Sequence, residues 1–149
     1  MSPRVHRVRR NEQGTMLVLM AFYSALALLL ILLVTAATSL YLERKRLFSL
    51  ADGAALVGAE AFDLSDVRID GDTLSVRLDP GEVRDAVDAY VAIAPTGRFE
   101  GLQVVKATSE DGRSATVQLS ALWRPPVVAL FLPAGIRLDV TAIARSVFQ

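Results

Sequence analysis

Hydrophobic and polar positions change rhythm along this chain, and each rhythm predicts a different element. Residues 15–42 form a run of 28 positions without Asp, Glu, Lys or Arg. A membrane-spanning helix needs only about 20 apolar residues. A soluble helix apolar on every face would require a far larger protein around it. A secretory signal also sets basic residues before an apolar stretch, and Val34-Thr35-Ala36 has the small-residue character of a cleavage site. Such signals have apolar cores of roughly 7–15 residues, so the longer run predicts a retained anchor.

Past Glu43-Arg44-Lys45-Arg46, apolar or small residues recur at Leu47, Leu50, Ala51, Ala54, Val57, Gly58, Ala61 and Phe62, which is helical spacing. No proline falls between positions 11 and 64, so the helix is expected to continue out of the membrane through 43–64. From Val67 the period becomes two. Val67 and Ile69, then Leu74, Val76 and Leu78, predict two short strands turning at Asp70-Gly71-Asp72. Asp79, Pro80 and Glu82 combine a capping side chain, a first-turn proline and the acid of a capping box, so a second helix starts there. Val83, Ala86, Val87, Tyr90 and Val91 form its apolar stripe, and Pro95 ends it.

Residues 102–108 and 115–123 predict a hairpin turning at Asp111-Gly112, with Ala115, Val117, Leu119, Ala121 and Trp123 on one face. Pro125 and Pro126 end it. Ile136, Leu138, Val140, Ala142 and Ala144 alternate with Arg137, Asp139, Thr141, Ile143 and Arg145 in a last strand. The expected class is α+β: a long N-terminal transmembrane helix continuing into a small antiparallel sheet domain with a second helix, the sheet covered by helix on one face. The expected divisions are a basic tail at 1–14, the span at 15–42, its helical extension at 43–64 and the α+β domain at 65–149.

Overall neutrality, 16 basic against 16 acidic residues, hides an asymmetry. Removing the four arginines and one glutamate of residues 1–14 leaves 12 basic and 15 acidic. The basic tail suits the cytoplasmic side and the acidic remainder the outside, giving a single-pass inner-membrane protein with an extracytoplasmic C-terminal domain. Arg44, Lys45 and Arg46 at the other end of the span oppose that bias in part. The tail is short and lacks interleaved aromatics, so membrane lipid headgroups rather than nucleic acid are its expected contact.

Little in the domain is suited to catalysis. The only histidine is His6, in the tail, and there is no cysteine. Ser/His/Asp and Cys/His arrangements, a phosphate loop and a His-based metal cluster are therefore all missing from the sequence of the domain, and neither an enzyme nor a cofactor or small-molecule substrate is expected. Asp63, Asp66, Asp70 and Asp72 are acidic neighbours, but their spacing is not that of an EF-hand loop, and turn chemistry accounts for Asp70 and Asp72. Thr35, Thr38 and Ser39 can bond to carbonyls of their own helix, and Tyr41 suits the membrane interface.

Two surfaces are candidates for packing. Ala51, Ala54, Gly58 and Ala61 leave a smooth helix face that lets another backbone approach, either the domain's own sheet or another subunit. Val127, Val128, Leu130, Phe131 and Leu132 lie between prolines without alternation, as a buried strand or as a partner-contact loop.

The stretch Arg46-Leu47-Phe48-Ser49-Leu50-Ala51-Asp52-Gly53-Ala54-Ala55-Leu56-Val57-Gly58-Ala59-Glu60-Ala61 follows a membrane helix and Arg9-Arg10-Asn11-Glu12-Gln13-Gly14. This arrangement over about the first 64 residues resembles the TadE/TadG-like proteins of Tad (Flp) pili and related secretion systems. The resemblance implies a pilin-like or pseudopilin-like fold and role, with other pilin-like subunits and the inner-membrane assembly platform as partners. It also implies possible leader processing between Gly14 and Thr15. Two departures shape this. A chain of 149 residues has no room for the von Willebrand factor A-like domain of larger TadG-like members, and pilins carry glutamate at the fifth residue after the processing glycine, where this chain has Leu19. A different class, a bitopic membrane protein whose outer domain binds or senses an envelope ligand, fits the same anchor.

Overall fold

A computed structural model describes residues 12–62, 67–70, 73–124 and 134–145, with side chains over 14–62, 77–124 and 134–145. The chain divides into two compact units, Met1–Thr38 and Ser39–Gln149. The fold is α+β, in the order α1 (Glu12–Ala59), β1 (Val67–Asp70), β2 (Thr73–Val76), α2 (Pro80–Ile93), β3 (Glu100–Thr108), β4 (Ser114–Trp123) and β5 (Ile136–Arg145).

In the first unit, α1 presents apolar side chains all round, and Met16, Leu17, Phe22, Leu29 and Leu33 are each exposed. Among the described residues α1 is the one helix long and apolar enough to cross a membrane, through its stretch Gly14–Ala59. Two of its threonines bond back to the helix: Thr35 Oγ1 donates to the Ile31 carbonyl at 2.8 Å and Thr38 Oγ1 to that of Val34 at 2.9 Å. Those bonds satisfy hydroxyls that lipid could not.

In the second unit, the five strands among the described residues divide between two antiparallel sheets, β1–β2 and β3–β4–β5. The chain after β2 is tied to the larger sheet's hairpin, where the Leu78 N–H donates to the Gly112 carbonyl at 2.8 Å and the Leu78 side chain is buried. β4 and β5 pair without irregularity, setting Leu119 opposite Val140 and Val117 opposite Ala142 on the inner face. β3 is less regular. Register shifts fall between Glu100 and Gln103, where Gly101 adopts φ 57°, and between Val104 and Lys106. The second shift leaves Val105 outside the alternation and half exposed, so the residues reaching the core change from Leu102 and Val104 to Ala107.

One layer of helix covers that inner face. Leu47, Ala51, Ala54, Ala55 and Ala59 of α1 are buried with Val83 and Val87 of α2 and with Val117 and Leu119 of β4. The α2 boundaries follow the predicted chemistry: Asp79 Oδ1 accepts from the Gly81 N–H at 2.7 Å and the Glu82 N–H at 3.3 Å, with Pro80 in the first turn. Its last cap, Ala94, has ψ 152°, the extended conformation that a following proline imposes. α1 ends at Ala59, five residues before the expected limit at 64. There the Ala61 N–H bonds to Gly58 and the Phe62 N–H to Glu60, a tightening that lets Phe62 fold back on the core.

Candidate functional site

The small-residue face of α1 sits against the chain's own domain. Ala51, Ala54 and Gly58 are buried, and Ala61 lies just past the helix end, partly exposed. Gly58 is closed in by three side chains. A methyl group there would stand 3.2 Å from Ala115 Cβ, 3.2 Å from Val83 Cγ1 and 3.3 Å from Val87 Cγ2. Gly53 plays a related part earlier in α1, since a Cβ would meet the Tyr90 hydroxyl at 2.5 Å and the ring would have to move. Small residues thus bring α1, α2 and β4 close enough to share one core.

The opposite side of α1 is left open. Phe48, Asp52, Leu56 and Glu60, at successive helical turns, are all exposed. A helix with apolar residues on that face as well has contact surface beyond what its own domain covers.

A groove opens at the C-terminal end of α2, with a volume of about 280 Å³. Arg46, Ser49 and Leu50 line it from α1, and Tyr90, Arg98 and Phe99 from α2 and the turn that follows. Backbone bonds hold that turn: the Thr96 N–H donates to Ala94 at 2.7 Å and the Phe99 N–H to Thr96 at 2.9 Å. Arg46 lies 3.6 Å from Glu43, a loose pair with Arg46 exposed and Glu43 partly buried. No local pattern signals this groove, because Arg46 and Arg98 are far apart in the chain and only the α1–α2 packing joins them.

A second polar cluster lies on the outer face of the sheet. Arg137 Nη1 donates to Gln103 Oε1 at 3.1 Å and to the buried Ser120 Oγ at 3.3 Å, which links β5 to β3 across β4. At the β3–β4 turn, Asp111 accepts from the N–H groups of Arg113 and Ser114 and from the Ser114 hydroxyl. Those bonds, that of Arg113 first, lower its pKa to about 2. Both arrangements are structural bracing rather than reactive groups.

Gly14 and Thr15 lie within α1, and Gly14 has open space around it. Val127, Val128, Leu130, Phe131 and Leu132 lie outside the described residues, as do Asp63, Asp66 and Asp72, while Asp70 is described by its backbone alone. Comparison with known families finds a match between residues 14–61, about a third of the chain, and the Flp pilus-assembly TadE/G-like family. The matched segment ends where α1 does, within two residues, and contains both the apolar run and the small-residue face. Neither the curated proteins nor the solved structures yield a match.

Proposed function

From a TadE/G-like chain of Flp pilus assembly, matched over residues 14–61, we propose a non-catalytic minor pilin-like or pseudopilin-like component. It is held in the cytoplasmic membrane by residues 15–42, with its N-terminus inside and its α+β domain outside. The observation that carries the reading is the apolar surface of α1 from Met16 to Val34, which is exposed among the described residues. Lipid covers it in the membrane, and helices of other pilin-like subunits or of the assembly platform cover it during assembly. The domain supports this reading by its residue content, since the sole histidine is in the tail and cysteine is missing.

Leu19 narrows the role. Processing after Gly14 would leave the amine of Thr15 on an apolar helix, and no carboxylate occurs from 15 to 42 to compensate one on a neighbouring copy. Burying an unpaired charge costs several kcal/mol. The chain therefore does not repeat along a fibre: it stays in the membrane as an assembly factor or takes a unique end position. Quantifying it in sheared, purified pili tests this. Trace amounts, or confinement to the membrane fraction, are expected. Abundance comparable to the major pilin would overturn the role.

A further inference from the structure

We propose that residues 127–132 of this chain dock on the flank of α1 formed by Ser39, Leu40 and Glu43, over Trp123, and so clamp the domain to the root of its own helix. Two observations call for a cover at that place. Trp123 is only 8% exposed, yet it is not among the residues of the core shared by α1, α2 and the sheet. Ser39, Leu40 and Glu43 are partly buried, and they lie one and two turns before the buried Leu47 on its flank of the helix. Leu40 is not packed against that core either, while Leu42, on the far side of the same turn, is exposed.

The fold brings this flank and Trp123 to one level. Gly58 of α1 lies against Ala115, the second residue of β4. At the other end of the strand, Phe99 joins Arg46 and Leu50 in lining one groove, and Glu100 beside it pairs with Leu122. β4 therefore runs back along α1 and advances about 26 Å from Ala115 to Trp123, at about 3.3 Å per residue. That length matches about 17 residues of helix before Gly58, and somewhat fewer where helix and strand cross at an angle. Trp123 is thus carried to the turns that hold Leu40 and Glu43.

Both ends of the segment are pinned at the same place. Trp123 pairs with Ile136, a Cβ on Gly135 would stand 3.0 Å from the Trp123 carbonyl oxygen, and Arg124 pairs with Glu100 at 3.2 Å. Residues 125–133 lie between those anchors, and 125–136 contain no charge. Nine residues going out and back reach about 15 Å, and packed elements need approach only to about 10 Å. Val127, Val128, Leu130, Phe131 and Leu132 supply apolar surface to meet Leu40 and Trp123. Tethering selects this occupant over another subunit, because a short tether gives an effective concentration of order millimolar.

The test uses the full chain in detergent, so neither the pilus role nor the membrane topology bears on the outcome. The chain has no cysteine, and engineered pairs report without background. Leu40→Cys is combined in turn with a single cysteine at each of positions 127–132, and Leu42→Cys, about 200° round the helix, with the same set. A disulfide needs Cβ atoms about 3.5–4.5 Å apart, so at least one segment position is expected to link to Leu40→Cys within the chain about tenfold faster than any links to Leu42→Cys. Equal rates on the two sides, or no link to Leu40→Cys, would overturn the docking site. Links running between chains rather than within one would make a second copy the occupant and overturn it as well. As an independent readout, combining Val127→Ser, Leu130→Ser and Phe131→Ser should uncover the sole tryptophan. Its emission should shift to the red and its quenching by acrylamide should rise while far-UV circular dichroism is kept. Unchanged emission and quenching would refute the cover over Trp123.

Discussion

Replacing Gly58 with leucine probes the place where α1, α2 and β4 meet. Even a methyl group would find Ala115 Cβ and Val83 Cγ1 at 3.2 Å and Val87 Cγ2 at 3.3 Å, inside the roughly 3.5–4.0 Å at which carbon atoms pack best. The neighbours cannot easily yield. Val83 and Val87 are β-branched and stiff, and Ala115 is fixed in the central strand. Gly58→Ala gains about 1 kcal/mol of helix propensity, which opposes the crowding and leaves a small net loss. Gly58→Leu gains no more propensity and adds three further carbons, so it should reach the upper part of the ~1–3 kcal/mol range for overpacking.

For a domain of this size each kcal/mol moves Tm by about 4–8 °C, so Gly58→Leu should lower it by roughly 10–20 °C. Trp123, the only tryptophan, is buried at the end of β4 and reports on the domain rather than on the spanning helix. Its fluorescence during thermal unfolding of the full chain in detergent is therefore the assay. Leu56→Ala, on the exposed side of the same helix, should shift stability by less than about 0.5 kcal/mol. If Gly58→Leu unfolded within about 2 °C of wild type, the close packing of α1 on the domain would be refuted.

Other outcomes follow from local geometry. Asp79→Ala removes the acceptor for the Gly81 and Glu82 N–H groups and should destabilise the domain by about 0.5–2 kcal/mol in the same assay. Asp111, whose pKa is lowered from 3.8 to about 2 in the folded state, stabilises the fold above its unfolded pKa and loses that contribution as pH falls toward 2. The Tm difference between wild type and Asp111→Asn should accordingly be constant near neutrality and close between about pH 4 and 2; a difference independent of pH over that window would contradict it. With the proposed orientation, the protein should resist carbonate extraction and protease added to intact spheroplasts should degrade the domain. Protection until lysis would reverse that topology.

The boundaries that could be read from the sequence are those set by local chemistry. Asp79-Pro80 starts α2 and Pro95 stops it because capping and proline geometry act within a few residues. β5 matches its expected limits because strict alternation from Ile136 to Arg145 puts Leu138, Val140, Ala142 and Ala144 on one face. Adjacent Val104 and Val105 already break the alternation in β3, and the register shift between Val104 and Lys106 is its structural expression. Features set by distant partners were hidden. Nothing local tells β1 and β2 to form a sheet apart from β3–β4–β5, or joins Arg46 to Arg98.

The two parts of α1 show why a small-residue face is ambiguous in sequence. From Met16 to Val34 large apolar side chains are exposed all round, as suits a solvent of lipid that does not discriminate among faces. Beyond Arg46 the helix becomes one-sided: Leu47, Ala51, Ala54, Ala55 and Ala59 are buried while Phe48, Asp52, Leu56 and Glu60 are exposed. Alanine and glycine on the buried side bring the helix near the sheet, which a small domain needs if one helix layer is to complete its core. That side is thereby occupied within the chain. A neighbouring subunit that packs on α1 would meet the Phe48–Leu56 side or the exposed apolar surface before Val34, so mutations on α1 that disrupt assembly without unfolding the domain should fall there rather than at Gly58.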